Sequence, residues 1–272
     1  MPDGPNGRRL ITGFSNPTVK FLRSLRDKKH RRIEQRFLAE GLRLLTDARA
    51  TGRLPEMLVM ASTRNAHPLL AELESEVAVA GGEIVEMSAD LLAKVTGKDN
   101  PQAVCGVFAE FDTSLAAIDR NAAPIWLVAQ ALRDPGNLGT MLRTGDAIGA
   151  GGLILLDDCA DPFSAEAVRA SMGAIFTQRL ARARWEEFLP WLRTDSGQLV
   201  AASLRDSQPY RGAAYAAPCF IMVGNESRGL PEAYEMACDL RVTMPMQGRA
   251  DSLNAAIASA VLGYEVLACL ED

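Results

Sequence analysis

The stretch PIWLVAQALRDPGNLGTMLRTGDAIGAGGLILL, residues 124–156, contains two apolar runs separated by a turn and a helical pattern. The runs 124–131 and 152–156 are short and almost wholly apolar, which is typical of strands buried on both faces of a parallel sheet. Residues 134–136 (DPG) indicate a turn, and Asn137 is a suitable N-cap for the helix that follows. This order of strand, helix and strand predicts an α/β fold.

The same alternation continues to the end of the chain. Further apolar runs predict strands at 199–204, 219–223 and 240–244. Helices are predicted at 137–149, 164–174, 185–193, 231–237 and 252–270. Ligands of open parallel sheets bind beyond the carboxyl ends of the strands. The loops that begin at Leu132, Gly224 and Pro245 are therefore the places to search for a site.

A smaller alternating pattern precedes residue 110. Strands are predicted at 37–39, 57–61, 83–87 and 102–109, and helices at 41–50 and 68–80. Residues 111–123 lose this periodicity before Pro124. We therefore predict a basic N-terminal arm or helix at 1–33, a small α/β domain at 34–110, a linker at 111–123 and the larger domain at 124–272.

Charge is distributed unevenly along the 272 residues, whose net charge is −5. Residues 1–53 carry 13 Lys and Arg against 5 Asp and Glu, which leaves −13 for the remainder. Clustered basic side chains bind polyanions because they release counterions from phosphates. A basic helix is predicted at 16–31, and the residues predicted to bind a polyanion are Arg23, Arg26, Lys28, Lys29, Arg31 and Arg32.

Several classes of protein are excluded by what the sequence lacks. No apolar stretch approaches the ~18 residues of a membrane span, and the polar start has no signal-peptide core, so we expect a cytoplasmic protein without membrane contact. The five cysteines form no CxxC pair, which predicts free, buried thiols rather than disulfides or zinc ligands. Both histidines, His30 and His67, precede the larger domain. No metal site and no histidine base are expected there.

Polar and small residues concentrate in the three strand-end loops. These read LRDPGNLG at 132–139, GNESRGLP at 224–231 and MPMQGRADSLN at 244–254. Arg143 lies off the apolar stripe of the first predicted helix, beside small residues that leave room for a ligand. In the third loop Ser252 is the expected N-cap, and capping does not account for Asn254, a poor helix former.

Taken together and in this order, the three loops resemble the SpoU (TrmH) family of RNA 2′-O-ribose methyltransferases, within the SPOUT class. The resemblance covers residues 124–270, and residues 36–109 look like the substrate-binding domain of many family members. It implies a parallel-sheet SPOUT domain with a deep trefoil knot, preceded by a smaller α/β RNA-binding domain. It also implies the cofactor S-adenosylmethionine (SAM), a homodimer that completes the RNA site, and a ribosomal RNA substrate.

The resemblance assigns roles by matched position. The matched cofactor-binding residues are Gly224, Asn225, Glu226, Met244, Met246 and Leu253. The matched active-site residues are Asn137, Arg143, Glu226, Ser252 and Asn254. This sequence departs from the family pattern at Ser227, where glycine is frequent, and at Met244, where Ile or Leu is frequent; both positions act mainly through their backbone.

Arg143 matches the residue often assigned as the base in this family. An arginine holds its proton with a pKa above ~12, so we expect Arg143 instead to orient the ribose and stabilise the developing alkoxide. Three alternatives stay open: a transfer-RNA substrate, methylation of a base nitrogen, and a non-catalytic RNA-binding or ribosome assembly factor on the same scaffold.

Overall fold

The computed structural model describes residues 8–63 and 67–271, which fold into two compact units. The first unit comprises Met1–Glu110 with Phe163–Phe176, and the second comprises Phe111–Pro162 with Thr177–Asp272. Residues 1–7 of the predicted arm lie outside the described residues. Within the described ranges, no helix combines the length and apolar character needed to cross a membrane.

The first unit is a mixed five-stranded sheet with helices. In chain order its strands are β1 (Arg9–Ile11), β2 (Arg36–Glu40), β3 (Met57–Ala61), β4 (Glu83–Met87) and β5 (Val104–Ala109). Up to Glu110 its helices are α1 (Pro17–Ser24), α2 (Lys28–Glu34), α3 (Leu42–Ala50), α4 (Pro68–Val79) and α5 (Ala89–Thr96). The strand order is β1–β4–β3–β5–β2, with β5 antiparallel to both of its neighbours. The predicted α/β pattern is confirmed, although β1 and α5 were not predicted.

The basic segment differs from the single helix predicted at 16–31. Asn16 caps α1 and Asp27 caps α2, so two short helices meet at a turn. Val19, Leu22 and Leu25 are buried in the core of the first unit. The described part of the predicted arm is therefore built into the small domain, because its apolar side chains need that core.

The remaining strands run in chain order through the rest of the molecule. They are β6 (Ile125–Gln130), β7 (Gly152–Leu156), β8 (Arg179–Ala183), β9 (Gln198–Ala202), β10 (Gln208–Pro209), β11 (Cys219–Val223) and β12 (Leu240–Thr243). The helices are α6 (Pro135–Ala147), α7 (Ala165–Ala170), α8 (Ala174–Thr177), α9 (Trp185–Arg193), α10 (Glu232–Met236) and α11 (Ala255–Glu271). The predicted strands at 152–156 and 219–223 are found at those bounds. The predicted helix at 164–174 is divided into α7 and α8.

The second unit holds a seven-stranded sheet in which each strand pairs parallel to its neighbours, in the order β10–β12–β9–β11–β6–β7–β8. The central strand β11 is buried along its length, and Phe220 lies opposite Trp126 of β6 and Leu199 of β9. The carboxyl ends of β6, β11, β9 and β12 therefore lie side by side at one edge. The predicted parallel α/β sheet is confirmed.

One segment belongs to the first unit although it lies between β7 and β8 in the chain. Phe163 and Phe176 pack on the β2 residue Phe37, with ring centroids 5.0 and 6.2 Å away. Phe176 also lies 4.9 Å from Phe108 of β5. The prediction placed this segment within 124–272; the structure differs because these aromatic side chains complete the first unit's core.

Candidate active site

The start of α6 places Asn137 at the edge of the second sheet. Asp134 is the N-cap, and its Oδ1 accepts a hydrogen bond from the backbone N–H of Asn137 at 2.6 Å. The prediction that Asn137 caps this helix is wrong, because Asp134 and Pro135 already supply the start signals. The Asn137 side chain is consequently left to reach the loop after β11.

Asn225 ties that loop to the end of β6. Its Oδ1 accepts hydrogen bonds from the backbone N–H groups of Ser227 and Arg228 at 3.0 and 3.1 Å. Its Nδ2 donates to the carbonyl oxygen of Ala131 at 2.9 Å. Ala131 has a φ of +49°, in the left-handed region that non-glycine residues rarely adopt. The Asn225 side chain therefore fixes the conformation of two strand-end loops at once.

Gly224 is required by the close approach of the same loop to itself. A Cβ at this position would lie 2.5 Å from both the carbonyl carbon of Gly229 and the backbone nitrogen of Leu230. Backbone atoms cannot yield as a flexible side chain does, so glycine alone fits here.

A chain of side-chain hydrogen bonds joins the three predicted loops. Nδ2 of Asn137 donates to Oε1 of Glu226 at 3.1 Å. Nδ2 of Asn254 donates to Oδ1 of Asn137 at 2.9 Å. We call Asn137, Glu226 and Asn254 the loop junction. Three of the five predicted active-site residues are thus brought together.

Asn254 is also the residue that caps α11. Its Oδ1 accepts hydrogen bonds from the backbone N–H groups of Ala256 and Ile257 at 2.9 and 3.2 Å. The predicted cap at Ser252 is wrong, since the helix begins three residues later. So is the expectation that capping does not account for Asn254, because its oxygen caps the helix while its nitrogen serves the loop junction.

A cavity of about 390 Å³ lies beside the loop junction in the second unit. Every residue predicted to bind the cofactor lines it, and Ser252 does as well: Gly224, Asn225, Glu226, Met244, Met246, Ser252 and Leu253. Its volume falls within the roughly 300 to 1,000 Å³ range of small-molecule sites. Glu226 belongs to both the cavity wall and the loop junction.

Arg143 is not among the residues that line this cavity. It is exposed on α6, and its guanidinium has no hydrogen bond or ion pair with any residue in the described ranges. Arg143, the predicted key cation, is therefore accessible, but it belongs neither to the loop junction nor to the cavity lining.

The cavity lining also contains polar side chains from elements that the sequence analysis did not connect with the site. Ser203 and Arg205 follow β9, and Glu235 lies on α10. The position of β9 beside β11 would have pointed to the loop after β9 as a fourth strand-end loop. No sequence signal distinguished Glu235 from an exposed helix glutamate.

Neither a cysteine nucleophile nor a metal centre is indicated among the described residues. Burial raises the pKa of the Cys219 thiol to about 12 and that of Cys159 to about 11. Both thiols are therefore protonated at neutral pH and poor nucleophiles. Among the residues that the structure describes, no cluster of His, Cys, Asp or Glu has the arrangement of a metal site. Cys105, Cys159 and Cys219 are buried, as predicted, whereas Cys238 and Cys269 are half-buried.

The predicted RNA-binding residues lie on α1, α2 and the turn between them. Arg23, Arg26, Lys29 and Arg32 are exposed, and Lys28 is half-buried. Arg31 is only 3% exposed, and its Nη1 donates to the carbonyl oxygen of Leu25 at 2.8 Å. The RNA-contact assignment of Arg31 is contradicted, because its guanidinium is used inside the first unit.

Comparisons with known proteins match both parts of the chain. Residues 124–264 match the model of the SpoU rRNA Methylase family, and residues 16–106 match the MRM3-like substrate binding domain. The chain is 31% identical to the 23S rRNA (guanosine(2553)-2′-O)-methyltransferase RlmP of Bacillus subtilis, over 95% of this chain and 99% of that protein.

Solved structures also match this chain over nearly its whole length. An AdoMet-bound rRNA methyltransferase from Sinorhizobium meliloti has a TM-score of 0.90 and 38% identity, covering 97% of this chain and 98% of that chain. The SpoU methyltransferase AviRb from Streptomyces viridochromogenes, in complex with AdoMet, has a TM-score of 0.85 and 26% identity, covering 94% and 99%. The chain belongs to the SpoU rRNA methylase family.

Proposed function

We propose that this chain is a SAM-dependent methyltransferase that acts on a ribose 2′-hydroxyl of ribosomal RNA in the cytoplasm. The observation that carries the proposal is the loop junction, which joins the three motif loops beside a cavity lined by the expected cofactor residues. RlmP and a 23S rRNA (uridine(2479)-2′-O)-methyltransferase of Streptomyces viridochromogenes, matched over 99% and 67% of their lengths, are rRNA methyltransferases by name, which favours ribosomal over transfer RNA.

The cavity residues fit SAM chemically. The cofactor carries a sulfonium and an ammonium, and the carboxylates of Glu226 and Asp251 line the cavity. Apolar side chains, including Leu204, Leu230 and Leu253, supply the surface that an adenine needs. When bound, SAM supplies a methyl group on a positively charged sulfur.

The chain's own residues contribute mainly by positioning. The loop junction holds Glu226 at the cavity wall, so the edge that receives the ribose is preorganised before RNA arrives. Orientation of reacting groups can contribute roughly 7 to 11 kcal/mol to a transfer reaction. Arg143, exposed and unpaired among the described residues, is available to bind the phosphate next to the target ribose and to stabilise the charge that develops on its 2′ oxygen.

A homodimer and a trefoil knot belong to the same proposal. Exposed apolar side chains on and beside α11, Leu253, Ile257 and Tyr264, offer a surface for a second copy. The path of the chain supports the knot. In the sheet, β12 lies on one side of β9 and β11 lies on the other. After β12 the chain continues to α11, which packs against α6 and β11. RNA recognition is assigned to the first unit, through Arg23, Arg26, Lys28, Lys29 and Arg32. Arg31 is no longer included.

The proposal is tested by mapping ribose methylations in ribosomal RNA from cells with and without the gene. One or more 2′-O-methyl sites are expected to vanish on deletion and to return with the wild-type gene, but not with Arg143→Ala. A full set of unchanged rRNA methylations, together with a lost site in transfer RNA, would replace the proposed substrate. SAM binding without methylation of any RNA would support the non-catalytic alternative.

A further inference from the structure

Gly97 and the side chain of Arg26 meet at the C-terminal end of α5, in the first unit. Gly97 is the residue that ends this helix, and its φ is +71°. A Cβ at Gly97 would lie 2.5 Å from Nη1 of Arg26 and closer still to Cζ and Nη2 of the same side chain. The guanidinium of Arg26 therefore occupies the space that any side chain at position 97 would need.

Arg26 is carried by a well-defined turn between α1 and α2. The backbone N–H groups of Arg26 and Asp27 donate to the carbonyl oxygens three residues earlier, at 3.2 and 2.9 Å. Leu25, immediately before them, is 2% exposed and belongs to the core of the first unit. Helix α1 also packs on α5. The backbone of the turn is thus held close to the glycine on which the side chain of Arg26 rests.

The guanidinium of Arg26 keeps its charge and its donors for a ligand. Arg26 is exposed, and within the described ranges it has neither a hydrogen bond nor an ion pair. The adjacent carboxylate of Asp27 is used as a helix cap, since its Oδ1 accepts a hydrogen bond from the backbone N–H of Lys29 at 2.7 Å. The C-terminal end of a helix carries a partial negative charge, which favours a cation there without saturating the five N–H donors of a guanidinium.

A phosphate group fits a cation of this kind. The planar guanidinium offers parallel N–H donors that match two oxygens of one phosphate. Phosphate contacts fix the position of a protein on a nucleic acid, and a side chain that is already ordered makes them at a lower cost in free energy. Arg23 and Lys29, exposed on the helices before and after the turn, add positive charge nearby along the chain.

We propose that Gly97 is a positioning residue, which seats the guanidinium of Arg26 so that this side chain makes an ordered, bidentate contact with one phosphate of the RNA backbone. The inference rests on the proposed function, because it takes RNA as the ligand of the first unit. Glycine is then needed at position 97 for two reasons, the left-handed φ and the space that Arg26 fills.

The test separates these two reasons. Gly97→Ala strains the backbone and also displaces the guanidinium of Arg26. The matched control is Gly81→Ala, just after α4, where φ is +82° and nothing lies within 4 Å of a Cβ. Each glycine variant is made in the wild-type protein and in Arg26→Ala. Filter binding over a salt series measures the affinity for an in vitro transcribed fragment of 23S rRNA, chosen as the one that the wild-type protein binds most tightly.

Gly97→Ala is expected to weaken RNA binding about fivefold, and Arg26→Ala about tenfold, with a salt slope less negative by up to about 1. Because the glycine acts through the arginine, Gly97→Ala should cause no further loss in the Arg26→Ala background. Gly81→Ala should leave the affinity unchanged in both backgrounds. Arg26→Lys keeps the charge, so it should preserve the slope but not the affinity.

Thermal melting verifies that the variants are folded, and the two glycine variants should lose similar stability because both positions have a left-handed φ. Gly97→Asn adds a Cβ with less backbone strain, since asparagine tolerates this region, and it carries the test if the alanine variant is unfolded.

Wild-type affinity in Gly97→Ala would overturn the inference. An equal loss with and without Arg26 would also overturn it, since Gly97 would then have a purely structural role, and full affinity in Arg26→Lys would exclude the bidentate contact. A wild-type protein that binds no rRNA fragment would instead overturn the proposed function, and this inference with it. The two failures are therefore distinguishable.

Discussion

The loop junction and the basic surface of α1 and α2 use polar residues in opposite ways. In the junction each side chain is held by another: Glu226 by Asn137, and Asn137 by Asn254. On α1 and α2 the cations of Arg23, Lys29 and Arg32 are exposed and have no side-chain partner among the described residues. The first arrangement fixes geometry before a ligand arrives, whereas the second offers charge to a flexible polyanion. Substitutions in the two regions should therefore change different quantities.

The largest effect is expected at Gly224, where the junction's loop has no space. Gly224→Ala would place a Cβ 2.5 Å from backbone atoms of Gly229 and Leu230, so the loop must open and SAM binding should become unmeasurable. Calorimetry with S-adenosylhomocysteine measures this. Gly248→Ala is the matched control, because nothing lies within 4 Å of a Cβ there. Normal affinity in Gly224→Ala would show that this loop is not rigid.

Arg143 tests whether the exposed cation on α6 acts through its charge or through the geometry of its guanidinium group. Arg143→Lys keeps the charge but loses the planar fork, and we expect methyl transfer to fall about 100-fold, with SAM affinity unchanged. Single-turnover methylation of rRNA fragments provides the rate. Near wild-type rates with lysine would exclude bidentate recognition of the ribose and its phosphate.

The triple variant Arg23→Ala, Lys29→Ala and Arg32→Ala removes three positive charges from the basic surface of α1 and α2. RNA affinity should fall about 30-fold near physiological salt, and the slope of log K against log salt should become less negative by up to about 3. Filter binding over a salt series measures both quantities. Arg31→Ala is the contrasting control: its buried guanidinium predicts a lower melting temperature and an unchanged slope. An unchanged slope in the triple variant would remove these helices from the RNA site.

A smaller effect is expected from Asn137→Ala, which breaks two hydrogen bonds of the loop junction but leaves the cavity lining in place. We expect methyl transfer to slow about tenfold, while SAM affinity changes by less than about threefold. Thr144→Ala, on the same helix and outside the junction, serves as control. If Asn137→Ala weakens SAM binding as much as it slows transfer, the junction shapes the cavity and does not position the ribose.

Much of the fold was predictable because its strands are short apolar runs separated by clear turn residues. The strands at 57–61, 83–87, 152–156 and 219–223 have the predicted bounds. The strand β8, with Arg179 and Arg182 in its sequence, was missed because its composition does not resemble a buried run. The helix starts at Asn137 and Ser252 were misplaced because several good capping residues stand close together, and only the three-dimensional structure selects one.

The candidate site was predicted where its residues lie in motifs and missed where they depend on the fold. The cofactor residues from Gly224 to Leu253 line the cavity as the resemblance implied. Glu235 and Ser203 could not be found in this way, since an exposed and a buried glutamate look alike in sequence. Arg31 was misassigned because the sequence does not show which face of a short basic helix points inward.

The aromatic packing of Phe163 and Phe176 on Phe37 and Phe108 limits how this protein can be divided. A cut after Glu110 would strip two phenylalanines from the smaller unit and uncover the two that they protect. Grafting the small domain onto another enzyme therefore requires transplanting residues 163–176 as well, as a second polypeptide or through circular permutation. In this sense the boundary between the two units lies in space and not at one point along the chain.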